Sequence, residues 1–172
     1  MRPMDQAKQP VTNLAGRYGH PLHPALVAVP IGAWVASFAF DLASRFVSGP
    51  QGLADGARWL IGLGVIGALA AALVGFLDLF AIPTGTRVFR TALAHMAINL
   101  AVTGAYAVNF ALRDAGPSGP VAAGPLVLSA ISLAGLTVAG YLGGELAYRY
   151  GVRVADETTQ AQGYHSADKE NS

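Results

Sequence analysis

The stretch LIGLGVIGALAAALVGFL, residues 60–77, decides the fold because its eighteen consecutive side chains carry no charge. A helix rises about 1.5 Å per residue, so about 20 apolar residues cross the roughly 30 Å hydrocarbon layer of a bilayer. In lipid such a run must be helical, since no water is present to satisfy an open backbone. The stretch therefore predicts a membrane-spanning helix, whose ends we place near residues 57 and 82.

Three further apolar runs of similar length lie on either side of this stretch, at about 24–46, 86–112 and 125–148. Short segments rich in glycine and proline separate them, as helix-ending connections do. The sequence therefore predicts an all-α fold, an integral membrane four-helix bundle that is antiparallel and has both termini on the same side. We expect one domain over residues 1–154 and a polar, disordered tail over 155–172, where no hydrophobic periodicity remains.

Composition excludes several classes of protein. Hydrophobic residues make up 53% of the 172 residues and charged residues 12%, about half the charged share of an ordinary soluble domain. The net charge of +1 gives no basic field for nucleic acid. The absence of cysteine excludes disulfides, thiolate metal sites and iron–sulfur clusters. No cleavable signal peptide, nucleophile elbow or phosphate-binding loop is recognisable, and enzymatic activity stays an open question.

The distribution of basic residues predicts the orientation. The termini and the second loop carry eight lysines and arginines, whereas the first and third loops carry three. Cytoplasmic segments of membrane proteins are enriched in these residues. We therefore expect both termini in the cytoplasm.

Ionisable side chains inside the predicted spans are candidates for function, because each costs a few kcal/mol or more if it faces lipid. The antiparallel order of the four spans places five metal-competent residues in the cytoplasmic half of the bundle: His20, His23, Asp78, His95 and Glu145. Asp41 belongs to the opposite end, where we expect an ion pair with Arg45, four residues further along the same helix.

Polar stripes are expected to point into the bundle, because lipid offers no hydrogen-bond partner. One face of the first span carries His23, Pro30, Trp34, Ser37 and Asp41. The third span repeats Thr91, His95, Asn99 and Thr103 every fourth residue. The fourth span carries Thr137, Tyr141, Glu145 and Tyr148. These stripes predict that three of the four helices turn a polar face into the bundle.

The segment GHPLHP, residues 19–24, is the most informative local feature. Both histidines precede proline, which restricts them to extended backbone, and Pro24 suits the first turn of a helix. Together with the following ALV, with Pro30-Ile31-Gly32, Asp41-Leu42, Gly75, Asp78, His95, Asn99 and residues 143–148 (GGELAY), it resembles a bacterial membrane family catalogued as domain of unknown function 2231.

The resemblance implies a multi-span protein of the bacterial inner (cell) membrane with no assigned activity. Some relatives carry this domain ahead of a Rieske-type iron–sulfur domain, which implies electron transfer. This chain has no cysteine, so a redox role needs another centre or a separate membrane redox protein as partner.

Three functions follow from these observations. The first is a metal or haem protein: His95 with His23 or His20 holds one b-type haem, or the five residues above hold a divalent ion such as Fe, Zn or Mn. The second is a small ion or proton transport component. The third is a non-catalytic membrane assembly subunit. Stripes of small residues, Gly67-Ala71-Gly75 and Gly135-Ala139-Gly143, serve helix packing and leave a homo-oligomer possible.

Overall fold

The computed structural model describes residues 2–113 and 119–164. Within these residues, four helices are long and apolar enough to cross a membrane, and we number them as spans one to four: Leu22–Ala43, Gln51–Leu79, Arg87–Ala111 and Ala123–Arg149. Span one consists of α2 (Leu22–Leu26) and α3 (Ala28–Ala43), and spans two and three are α4 and α5. Span four consists of α6 (Ala123–Gly144) and a π-helical turn, Glu145–Arg149.

Local signals place the ends of the spans close to the predicted positions. Span three begins after Thr86, whose side-chain oxygen accepts the backbone N–H of Phe89 at 3.1 Å. The preceding turn uses Gly85 with φ +76°, a backbone region that favours glycine. Span two begins at Gln51, six residues before the predicted start at 57, because a helix can continue past the apolar run where its first turns meet water.

Consecutive spans are neighbours in the bundle, and span four also contacts span one. Phe40, near the end of span one, lies against Gly56 near the start of span two, while His23 at the start of span one lies against Gly75 near the end of span two. These two spans therefore run in opposite directions. Spans one and three lie diagonally across the bundle, so their long side chains meet on its axis.

The outer surface of the spans is apolar. Large side chains such as Leu73 and Ile66 are 73% and 68% exposed. In water such a surface would be strongly unfavourable. It is the surface expected of helices that face lipid tails.

The two terminal segments pack against each other and form what we call the terminal cap. The cap comprises α1 (Pro3–Lys8), a 3-10 turn (Asn13–Ala15), the short antiparallel strands β1 (Gly16–Arg17) and β2 (His20–Pro21), and α7 (Glu157–Gln162).

Arg153 joins the cap to the bundle. Its backbone N–H donates to Ala7 O at 3.0 Å and its guanidinium donates to Ala15 O at 2.9 Å and Gly16 O at 3.0 Å. The composition predicted disorder from residue 155, but α7 forms within that tail, because Asp156 accepts the backbone N–H of Thr159 and caps it. Residues 165–172 of the predicted tail lie outside the described residues.

Candidate metal site on the bundle axis

The structure brings two of the candidate residues together on the bundle axis. His23 is the second residue of span one and lies within helix α2, although the proline after it predicted extended backbone, and His95 lies in the third turn of span three. Their imidazole centroids are 6.2 Å apart and their planes meet at 83°. We call them the histidine pair.

Each imidazole is oriented by a backbone carbonyl of the following span. His23 Nδ1 lies 2.8 Å from Ala71 O, and His95 Nδ1 lies 2.8 Å from Ala139 O. A carbonyl oxygen only accepts, so in the neutral ring the proton sits on Nδ1 and the lone pair on Nε2. This is the way in which proteins orient histidines that bind metals through Nε2.

Two glycines make room for the rings. A Cβ atom at Gly75 would lie 2.8 Å from His23 Nδ1, and one at Gly143 would lie 3.0 Å from His95 Cε1. The first contact is closer than packed side chains tolerate, and the second would require the His95 ring to shift by a few tenths of an ångström. The small residues that the sequence assigned to helix packing therefore also hold the imidazoles in place.

The two rings differ at Nε2. The side-chain amide of Asn99 donates through Nδ2 to His95 O at 2.8 Å and lies 3.3 Å from His95 Nε2. No hydrogen bond from a described residue reaches His23 Nε2. The Nε2 atom of His95 is thus in contact with an amide, and the Nε2 atom of His23 is not.

The remaining members of the predicted five-residue set lie apart from the pair or have other partners. His20 is exposed in β2, and its Nδ1 lies 3.3 Å from Tyr18 O. Asp78 forms an ion pair with Arg153 at 2.7 Å. Glu145 accepts from Arg149 at 3.1 Å and from the Tyr150 hydroxyl at 3.2 Å.

Among residues 2–113 and 119–164, no three histidine, aspartate or glutamate side chains are grouped so that they could hold a metal ion. Asp78 and Glu145 each face a basic side chain instead. The donors that the structure brings together are the two imidazoles.

Two more pairs follow the histidines along the axis, again from spans one and three. Trp34 stacks on Tyr106 with centroids 4.2 Å apart and planes at 11°. At the far end, the Arg113 guanidinium binds both oxygens of Asp41 at 2.7 and 2.6 Å.

The predicted ion pair between Asp41 and Arg45 is therefore wrong. Arg45 donates instead to Val121 O at 3.0 Å. Asp41 points to the bundle axis, where a residue of the diagonal helix reaches it better than one on its own helix.

The polar stripe on span four was expected to face the interior, but it does not. Tyr141 and Tyr148 are 72% and 92% exposed, and Thr137 is exposed as well. The inward positions of this helix are instead its small residues, such as Ala139. Tyrosines toward the end of a span are typical of the membrane–water interface. The exposed residues of this face therefore point away from the bundle interior.

An internal repeat explains the paired residues on the axis, and sequence reasoning missed it. Residues 23–40, HPALVAVPIGAWVASFAF, align with residues 95–112, HMAINLAVTGAYAVNFAL, with six identical positions. All three axial pairs join residues whose numbers differ by 72. The two glycine–alanine–glycine stripes of spans two and four differ by 68 in the same order. The halves are two similar hairpins, and each supplies one imidazole, one carbonyl and one glycine.

Four lipid-facing helices around a polar axis define a multi-span membrane protein. The family model for predicted membrane protein, domain of unknown function 2231, matches residues 19–156. The chain belongs to this family, as its GHPLHP opening indicated. Comparison with curated proteins and with solved structures gives no match.

Proposed function

We propose that this protein binds one transition-metal centre between His23 and His95 and uses it for electron transfer in the membrane. The observation that carries the proposal is the orientation of the pair. Both Nδ1 atoms face carbonyl oxygens, so both rings present Nε2 lone pairs, the form in which imidazole binds metals.

The separation of the rings is compatible with one shared metal. An imidazole nitrogen binds a metal such as zinc at about 2.0–2.1 Å, and the ring centre lies about 1.1 Å further. Two rings on one ion therefore have centres at most about 6.4 Å apart. The observed 6.2 Å is just inside this limit, so a shared ion would lie close to the line that joins the two ring centres.

A single ion fits the pair better than a haem. Two surface cavities, of about 420 and 570 Å³, lie at the terminal cap and beside Tyr141, and neither is lined by His23 or His95. Neither cavity gives a macrocycle space at the rings, whereas a single ion would have to displace only the Asn99 amide from His95 Nε2. Imidazole donors suit Fe, Zn, Cu and Ni. An iron ion, or the iron of one b-type haem if the helices separate, would supply the one-electron chemistry, with a membrane redox protein as partner.

The test is an absorbance spectrum and elemental analysis of the purified chain in mild detergent. We expect a stoichiometric metal, and a Soret band only if the metal belongs to haem. H23A and H95A should each lose it. H20A is the matched control, because His20 is exposed in the terminal cap and should leave the metal content unchanged.

Protein without metal or haem under all loading conditions would reject the proposal. An assembly subunit would then be the interpretation that remains, with H23A and H95A affecting stability alone. Transport receives less support, since the exposed tyrosines remove one of the polar stripes that would line a path.

The same proposal places the protein in a bacterial inner membrane with the termini and second loop in the cytoplasm. The chain has no cysteine, so an introduced cysteine reports only its own position. A membrane-impermeant maleimide applied to intact cells should label S48C in the first loop and not T84C in the second. The reverse pattern would invert the orientation.

A further inference from the structure

We infer that Asn99 sets the metal affinity of the histidine pair by hydrogen-bonding to His95 Nε2, which a metal ion must displace. This inference rests on the proposed function. It makes Asn99 a positioning residue for His95 in the metal-free protein rather than a metal ligand.

The orientation of the amide follows from its two neighbours. One Nδ2 proton is directed to His95 O at 2.8 Å and the other to His95 Nε2 at 3.3 Å. Both neighbours are acceptors, because Nδ1 carries the ring proton toward Ala139 O. The reversed amide would place its oxygen against a carbonyl oxygen and a lone pair. The donor arrangement is therefore the stable one.

The internal repeat offers a comparison in which this amide is missing. The residue that corresponds to Asn99 in the first hairpin is Val27, four residues after His23. Val27 has helical backbone angles and its N–H donates to His23 O at 3.1 Å. The same helical turn thus forms with an apolar side chain, which leaves His23 Nε2 without a partner among the described residues.

The repeat also supplies the exchange that tests the inference. The variant N99V gives His95 the surroundings of His23, and V27N gives His23 the surroundings of His95. Breaking one neutral hydrogen bond accounts for a change of up to about tenfold in a binding constant. We expect N99V to bind metal up to about tenfold more tightly, and V27N to bind up to about tenfold more weakly.

The experiment is a titration of the metal-free full chain in detergent with Zn²⁺, in competition with a chromophoric chelator. T103V is the matched control. Thr103 lies one turn further along the same stripe and donates only to Asn99 O, at 2.8 Å, so its loss should leave the affinity unchanged. Circular dichroism of each variant checks that the helices are intact.

The outcomes separate this inference from the proposed function. If wild type binds Zn²⁺ and N99V binds equally well or more weakly, Asn99 is either irrelevant or a ligand, and the inference is overturned while the metal site stands. If neither wild type nor N99V binds, both fail. Should N99V be unfolded, V27N decides alone: weaker binding supports the inference, and unchanged binding overturns it.

Discussion

The buried ion pair at the far end of the axis gives the sharpest prediction for stability. Asp41 is fully buried, the Arg113 side chain is 5% exposed, and two charge-assisted hydrogen bonds of 2.7 and 2.6 Å join them. Removing one member of such a pair leaves an uncompensated buried charge, which costs about 3–5 kcal/mol. R113M should therefore lower the free energy of unfolding by about 3–5 kcal/mol.

The double variant D41L/R113M isolates the cause of that loss. With both charges replaced by apolar groups of similar size, no buried charge remains, and the result is often neutral or stabilising. We expect it to be within about 2 kcal/mol of wild type. The assay is unfolding of the full chain in mixed micelles with increasing sodium dodecyl sulfate, followed by circular dichroism.

R45M is the control, because it removes the residue that the sequence alone pairs with Asp41. Arg45 makes one hydrogen bond to Val121 O, so its loss should cost about 1 kcal/mol. The reasoning would be refuted if R45M were as costly as R113M, or if the costs of D41L and R113M simply added in the double variant.

Two further predictions concern the glycine behind His95 and the terminal cap. G143A should lower the free energy of unfolding by about 1–3 kcal/mol, since the new methyl group meets His95 at 3.0 Å. G140A is the control, because a methyl group there has nothing within 4 Å, and it should be neutral or stabilising. Thermal unfolding measures both variants, and equal effects would contradict the packing. In the terminal cap, the Tyr18 hydroxyl donates to Asp156 at 2.5 Å and, together with the backbone N–H of Thr159, lowers the pKa of that carboxyl from 3.8 to about 2, with the Tyr18 contribution the larger. Because the folded pKa is depressed, the contribution of Asp156 to stability is complete above pH 3.8 and is lost as the pH falls through about 2. In Y18F, a carboxyl titration by NMR should show the pKa moving back toward 3.8, and an unchanged pKa would rule out the hydroxyl as the cause.

The candidate site was only partly predictable. His23 and His95 were predicted because imidazoles in a span are costly unless they have an internal role. Asp78 and Glu145 were assigned to the same site because the antiparallel order of the helices gives the depth of a side chain along the bundle but not its partner. Their partners Arg153, Arg149 and Tyr150 lie at or beyond the end of the fourth apolar run, where hydropathy gives no contacts.

The repeat of residues 23–40 and 95–112 was the signal that could have predicted the pairing. Two copies of the same hairpin place equivalent residues opposite each other across their common axis. An alignment of the chain with itself would therefore have paired Asp41 with Arg113 rather than with Arg45, and Trp34 with Tyr106.

By itself the sequence determined the number of spans, their approximate limits, the family and the two histidines. These follow from length, apolarity and local motifs, which act along a single helix. Only the tertiary structure decided which side chains meet: the pairing of spans one and three across the axis, the glycine behind each imidazole, and the amide that holds one ring and leaves the other open. Such contacts depend on how all four helices are rotated and spaced. Rotating one helix by the angle between consecutive residues would direct a side chain to lipid instead of the axis.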